Sequence, residues 1–292
     1  MKIFLSLIFS FFLLVFQFQL NSPDCFFYQT EFDFPPLTYQ IYPIYPSIYA
    51  PSALVVEVSS GKILLAKNER EVRPIASLTK IVTAMTVLNS KQNLREELEI
   101  TEKDLDTLKG STSHIPNGSV FTRGELLNLT LMSSENRAAI CLARNYKGCY
   151  YNFVKDMNRL CQALKASDSY FVDPAGLSPM NFSNCIDLFY LARAAYCKEI
   201  IRDFSTRDDI LFESKRTNFK RYFGNTNSLV IDPKFCVKLS KTGYILESGR
   251  CLVLIFEIKG KDLILILLGE KSIAHRNEDA EIVRKWLLDI VK

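Results

Sequence analysis

Ser77 and Lys80 stand three residues apart in the otherwise apolar run IASLTKIVTAM, residues 75–85. Residues three apart on a helix are neighbours, so the hydroxyl and the amine can touch. A serine hydroxyl is a weak nucleophile until a base takes its proton. Lysine can be that base only when neutral, so its ordinary pKa of about 10.4 must be pulled down by burial or by a second cation. The apolar residues flanking Lys80 offer burial. The same two residues would also suit a helix N-cap and an amine reaching solvent, so the pair alone does not decide for catalysis.

Two further polar groups interrupt apolar sequence. Ser134-Glu135-Asn136 falls at a break between two helical patterns, where its side chains can project from a loop, or where Ser134 or Asn136 can serve as a helix N-cap. Lys241-Thr242-Gly243 lies in a strand pattern. Glycine weakens a strand and usually marks close approach of another backbone or a ligand. A cation and a hydroxyl beside such a glycine can hold an anionic carboxylate against the strand edge.

These residues need elements to position them. Leu78, Ile81, Val82, Met85 and Leu88 recur at helical spacing, with Pro74 just before, so Ser77 falls at a helix start. Residues 54–58 and 63–66 are strand-like and joined by Ser-Ser-Gly-Lys, which predicts a hairpin. Residues 94–204 are mainly helical, most clearly over 126–132, 136–144, 151–164 and 186–204. Strand patterns return in FCVKLSKTG, RCLVLIFEI and DLILILLG, the last two linked by a KGK hairpin. An amphipathic helix follows over 278–291, with Ala280, Val283, Leu287 and Ile290 on one face. The fold class predicted is α+β: one antiparallel sheet built from both chain ends, a helical lobe inserted between them, and a cleft where the two meet.

Composition removes several function classes. The 292 residues are 48% hydrophobic, enough for one large core or two lobes. The net charge of +4 is spread out, with no basic cluster interleaved with aromatics, so no nucleic-acid partner is expected. The two histidines, His114 and His275, are far apart and in no zinc-peptidase pattern, so no metal is expected. A Ser-His-Asp triad would lack its usual G-x-S-x-G elbow. Eight cysteines contain no C-x-x-C, which argues against a redox or zinc-ribbon site. Cys161 sits beside the helical apolar face of Phe153, Met157, Leu160 and Leu164 and reads as a core residue. One or two disulfides stay open.

Lys2 followed by the apolar run 3–16 has the length of a signal-peptide core. The expected organisation is a signal peptide or uncleaved anchor over 1–22, a Pro/Tyr-rich linker over 23–52 and a catalytic domain over 53–292. The linker, containing FPPLTYQIYPIYPSIYAPS, reads as extended chain. It is either a passive spacer or an aromatic surface for stacking a partner or glycan. Export to the periplasm or cell envelope is expected, with a membrane tether through the N-terminus as the alternative to cleavage.

Ser77-Leu78-Thr79-Lys80, Ser134-Glu135-Asn136 and Lys241-Thr242-Gly243 match, in order, the S-x-x-K, S-D-N and K-T-G trio of penicillin-binding proteins and class A β-lactamases, with Glu135 in place of the middle Asp. With RPIASLTKIVTAM, LMSSENRAA, VDPAGLSPMNFS, NTNSLV and LSKTGYILESGRCLV, the chain resembles the low-molecular-weight penicillin-binding proteins, the serine D-alanyl-D-alanine carboxypeptidase and endopeptidase family. The likeness runs from about Ala53 to the final helix, and SSENRAA and KTGYI look most like the D,D-endopeptidase branch. LKASDSYFVDPAG departs from the family's usual Leu-Gly-Met and Pro-Thr-Gly in a loop near the site. The resemblance implies a β-lactamase/D,D-peptidase-like fold, without the extra β-domain and membrane-binding tail of some family carboxypeptidases. It implies acyl transfer on peptidoglycan stem peptides, inhibition by β-lactams as covalent ligands, and no metal or organic cofactor. By the same resemblance Ser77 is the nucleophile, Lys80 its base and Ser134 a proton relay. Asn136 would bind the substrate amide. Lys241, Thr242 and Gly243 would bind its carboxylate end, and the backbone N–H groups of Ser77 and Tyr244 would form the oxyanion hole. The alternatives are a β-lactamase on the same fold and a catalytically silent penicillin- or cell-wall-binding module.

Overall fold

Apolar runs from opposite ends of the chain meet in one sheet. The computed structural model describes residues 35–292, so the apolar run 3–16 and its expected leader lie outside the described residues. Among the described residues no helix is long and apolar enough to cross a membrane. The N-terminal strands are β1 (Thr38–Tyr39), β2 (Ser52–Glu57) and β3 (Lys62–Lys67). Between them and the C-terminal strands come β4 (Arg73–Pro74), β5 (Glu97–Glu99), β6 (Val120–Thr122), β7 (Phe182–Ser183), β8 (Asp209–Glu213) and β9 (Lys220–Gly224). The C-terminal strands are β10 (Cys236–Ile245), β11 (Gly249–Ile258) and β12 (Lys261–Glu270). The main sheet runs β1-β3-β2-β12-β11-β10, so β10 is an edge strand. The two chain ends join at β12 and β2, where Leu265 faces Val55 and Ile266 faces Leu54. The expected antiparallel sheet holds for β2, β3 and β10–β12, but β1 adds to β3 in parallel, which makes the whole sheet mixed.

β11 and β12 are buried through their centres, which is why they read as continuous apolar runs rather than alternating ones. One face is covered by α7 (Ile273–Ile290), whose Ala280, Val283 and Leu287 pack with Leu254, Phe256 and Leu265. Each valine, leucine or phenylalanine side chain among them contributes about 1.5–3 kcal/mol on burial. The helical lobe consists of α1 (Thr79–Asn89), α2 (Arg123–Leu131), α3 (Asn136–Arg144), α4 (Tyr150–Ala163), α5 (Cys185–Tyr196) and α6 (Glu199–Thr206). α5 packs on β12 and β2, and α6 packs on β10.

Several boundaries differ from the sequence reading. The single helix expected over 186–204 is two, α5 and α6, because Lys198 turns to an extended conformation and redirects α6 onto β10. α2 begins at Arg123, three residues early, because Thr122 and Glu125 form a reciprocal capping box. α7 begins at Ile273 because the Ser272 hydroxyl accepts the His275 amide at 3.0 Å. The β8–β9 hairpin was not expected at all.

Residues 35–51 of the Tyr/Pro-rich segment run along the sheet and α7. Trp286 Nε1 donates to the Ile44 carbonyl at 3.1 Å, and Lys67 Nζ to that of Ile48 at 2.9 Å. The buried Asp279 carboxylate accepts the amides of Tyr49 and Ala50 at 2.9 and 2.8 Å. Cys141, Cys161, Cys185 and Cys251 are buried thiols outside any disulfide. Burial raises the pKa of each, which keeps them as inert core residues.

Candidate active site

Ser77 lies in a short 3-10 turn, Ala76–Leu78, that feeds α1. Its neighbour Ala76 has φ 47°, a left-handed conformation that L-residues adopt only under constraint. Two glycines make that turn possible. At Gly176, φ is +77° and a β-carbon would stand 1.9 Å from the Ala76 carbonyl oxygen. At Gly243, on β10, a β-carbon would stand 3.0 Å from the Ser77 nitrogen and 2.8 Å from the Ile75 carbonyl oxygen. The K-T-G glycine is therefore explained by close approach of the strand to the Ser77 turn.

Lys80, in the first turn of α1, has no exposed surface. Its Nζ donates to Ser77 Oγ at 2.8 Å, to Asn136 Oδ1 at 2.7 Å and to the Ala175 carbonyl at 2.6 Å. Burial pulls its pKa down to about 7, against the weaker opposing pull of Asp173, Glu135 and Asp106. Lys241 is also buried, and its Nζ donates to the Thr242 carbonyl at 2.9 Å. Its pKa is lowered first by burial, then by the charges of Lys80 and Arg276. Thus the neutral Lys80 expected from the sequence is produced by desolvation alone, against the surrounding carboxylates, and cation–cation repulsion is a lesser cause only at Lys241.

Asn136 is the first residue of α3, and the cap there is Glu135, whose side chain accepts the Arg137 amide. The alternative of Ser134 or Asn136 as N-cap is therefore not realised. Ser134 sits in the turn before α3 with φ 60°. Thr242 shares a hydrogen bond of 2.7 Å with Thr226. The Tyr244 side chain is half-exposed, with the Arg250 guanidinium 3.6 Å from its ring centroid. The structure brings Ser77, Lys80 and Asn136 into direct contact, and packs Gly243 against the same turn.

Other residues, not among the expected site residues, complete the site. The Asp173 carboxylate accepts the amides of Ala175 and Gly176 at 2.7 Å, of Leu177 at 3.3 Å and of Ser178 at 2.9 Å. That loop presents the Ala175 carbonyl to both Lys80 and Ser77. Asn181 ties the loop to α1 by donating to Thr79 Oγ1 and to the Asp173 carbonyl. Asp-Pro-x-Gly is a turn signal that could have located this loop, though not its contact with Lys80. Ser111 accepts from Asn136 Nδ2 at 2.8 Å. Arg276, at the start of α7, is buried, and its charge acts on Lys241. Among the described residues no group of His, Cys, Asp or Glu side chains could hold a metal ion.

A half-buried serine against a fully buried lysine in this geometry can deliver an activated hydroxyl to an acyl carbon. The family model described as D-alanyl-D-alanine carboxypeptidase, peptidase family S11, matches residues 40–272. The chain is 37% identical over 245 residues to the D-alanyl-D-alanine endopeptidase of Pseudomonas aeruginosa, spanning 84% of this chain and 79% of that protein. It is 34% identical over 242 residues to the D-alanyl-D-alanine endopeptidase of Escherichia coli, spanning 83% and 78%. The fold is similar to that of the Streptomyces K15 DD-transpeptidase, with TM-score 0.79 and 25% identity, covering 85% of this chain and 100% of that one.

Proposed function

The chain belongs to the D-alanyl-D-alanine carboxypeptidase family, peptidase family S11, and from that membership we propose that it is a serine D,D-peptidase of peptidoglycan that works through an acyl-enzyme on Ser77. The observation that carries the site assignment is the 2.8 Å contact between Ser77 Oγ and a fully buried Lys80 whose pKa is near 7. At neutral pH a large share of such a lysine is unprotonated and able to accept the serine proton.

In this reading the extended end of a stem peptide lies along the edge strand β10, whose unpaired backbone can take an added strand. Lys241 and Thr242 hold the terminal carboxylate or its equivalent, and Asn136 holds a substrate amide. Ser77 Oγ attacks the carbonyl of the penultimate D-alanine while Lys80 takes its proton. The developing oxyanion is stabilised by the Ser77 and Tyr244 backbone N–H groups. Gly243 permits that arrangement, since any side chain there would push the strand from the Ser77 turn. Collapse of the intermediate breaks the C–N bond, and Ser134 relays a proton to the leaving amine. Water then hydrolyses the ester and restores Ser77.

Cleavage of cross-links is the finer part of the proposal. The two relatives at 37% and 34% identity, both named endopeptidases, support it. The substrate places the enzyme in the cell envelope, and the apolar run near the N-terminus supports export as the route. The test is incubation with a cross-linked muropeptide dimer, read by mass spectrometry. Release of monomers, blocked by prior treatment with penicillin, is expected. An intact dimer would leave a carboxypeptidase, and an intact dimer together with an unprocessed pentapeptide monomer, alongside a penicilloyl adduct on Ser77, would reduce the protein to a binding module.

A further inference from the structure

Two separately braced loops meet across the site through one ion pair. The first loop follows β5, and its base is fastened by two arginines of α3. Arg137 donates to the carbonyls of Thr101 and Ile115 at 2.8 and 2.6 Å. Arg144 pairs with Asp104 at 2.7 Å. The loop crown is shaped by Asp106, whose carboxylate accepts the amides of Leu108, Lys109 and Ser111, each at 2.9 Å. Two residues beyond Lys109, Ser111 contacts Asn136 in the site. The second loop is the turn between β10 and β11. Ser248 Oγ accepts the Ile245 amide at 3.1 Å and fixes that turn. At its tip Glu247 meets Lys109 at 2.5 Å. Both side chains are about one-third exposed, and Leu108 and Leu246 beside them are exposed at 61% and 85%.

A partly exposed ion pair of this kind contributes little to stability. Its place is more informative than its strength. A substrate whose carboxylate sits at Lys241 and Thr242, and whose scissile carbonyl sits at Tyr244, must send its preceding residues toward Ile245 and Glu247. Ile245 ends β10, and Leu246 and Glu247 stand in the turn just beyond it. A strand advances about 3.3 Å per residue, so the residue before the penultimate D-alanine lies near Ile245, and a long side chain there extends toward the Lys109–Glu247 pair at the turn. In peptidoglycan that third residue is a diamino acid. In the diaminopimelate type its side chain ends in an ammonium and a carboxylate on one carbon.

We propose that Lys109 and Glu247 form a subsite for the zwitterionic end of the third stem residue, Glu247 taking its ammonium and Lys109 its carboxylate in exchange for each other. Opposite charges held on two braced loops match a zwitterion with little reorganisation. They would repel a substrate end carrying a single charge from one of the two partners. The inference rests on the substrate direction given under the proposed function.

The test compares two synthetic stem peptides ending in D-alanyl-D-alanine. One carries a diaminopimelate residue at position three. The other carries the same residue with its distal amine acetylated and its distal carboxylate amidated. Wild-type enzyme is expected to favour the uncapped peptide about tenfold or more in kcat/KM. Glu247→Gln and Lys109→Met should each bring that ratio to within about twofold of unity, with thermal melting checked to confirm folding. A ratio near one in the wild type, or a preference retained by both folded variants, overturns the subsite. Covalent labelling of wild-type Ser77 by penicillin, measured in parallel, reports on the underlying reading. Its absence would sink the nucleophile assignment, whereas labelling without zwitterion preference would sink this inference alone.

Discussion

Gly176 is pressed against Ala76 so closely that a β-carbon would stand 1.9 Å from the Ala76 carbonyl oxygen and 2.9 Å from the Ser77 nitrogen. With φ at +77°, an alanine there would also be strained in its own backbone. Gly176→Ala must therefore shift either the Asp173 loop or the nucleophile turn. A misplacement of about 1 Å can cost a factor of about 100 in rate. Stopped-flow acylation by a fluorescent penicillin should slow by about that factor, while far-UV circular dichroism stays native. An unchanged acylation rate would mean that the turn does not depend on this contact.

Ser77→Ala should eliminate covalent penicillin labelling without loss of fold, because it removes only the attacking oxygen. Lys80→Arg should reduce muropeptide cleavage below about 1% of wild type, since arginine stays protonated and cannot accept the serine proton. A persistent adduct in the alanine variant, located by peptide mapping, would move the nucleophile elsewhere. Cleavage near the wild-type rate in the arginine variant would rule out a lysine base.

The pH profile of acylation follows from Lys80. Its pKa is lowered to about 7 by burial, so the reactive neutral form is lost as pH falls below that value. The acylation rate should drop about tenfold per pH unit well below 7 and level off above about 8. A limb centred near the ordinary lysine value of about 10.4 would show instead that Lys80 rests protonated.

Penicillin should remain bound. In class A β-lactamases a glutamate directs the water that releases the acyl group. Between Asn136 and Lys241 the glutamates are Glu199, which starts α6, and Glu213, which ends β8. The acid nearest the serine–lysine pair in the Ala175 loop is Asp173, and its carboxylate is occupied by backbone amides. After brief exposure to benzylpenicillin, mass spectrometry should find one lasting adduct on the Ser77 peptide. Rapid turnover of excess penicillin with no adduct would place the chemistry in the β-lactamase class.

Side-chain identity and local periodicity are properties of neighbouring residues, and these were legible. The S-x-x-K, S-x-N and K-T-G groups, the apolar runs of β10–β12, the first hairpin and the span of α3 all follow from short stretches read alone. So did the need for a close approach at Gly243, because glycine in a strand has few other physical reasons. The single helix expected over 186–204 failed because its break at Lys198 carries no glycine or proline, and only packing of α6 on β10 redirects the chain. The Asp173 loop reaches Lys80 through Ala175, 95 residues along the chain, and Ser111 reaches Asn136 across 25. The identity of Lys80 as a lysine is written in the sequence. Its ability to lose a proton near pH 7 is not, because desolvation is set by every atom that surrounds the amine, and those atoms are assembled only when the sheet and the helical lobe close around it.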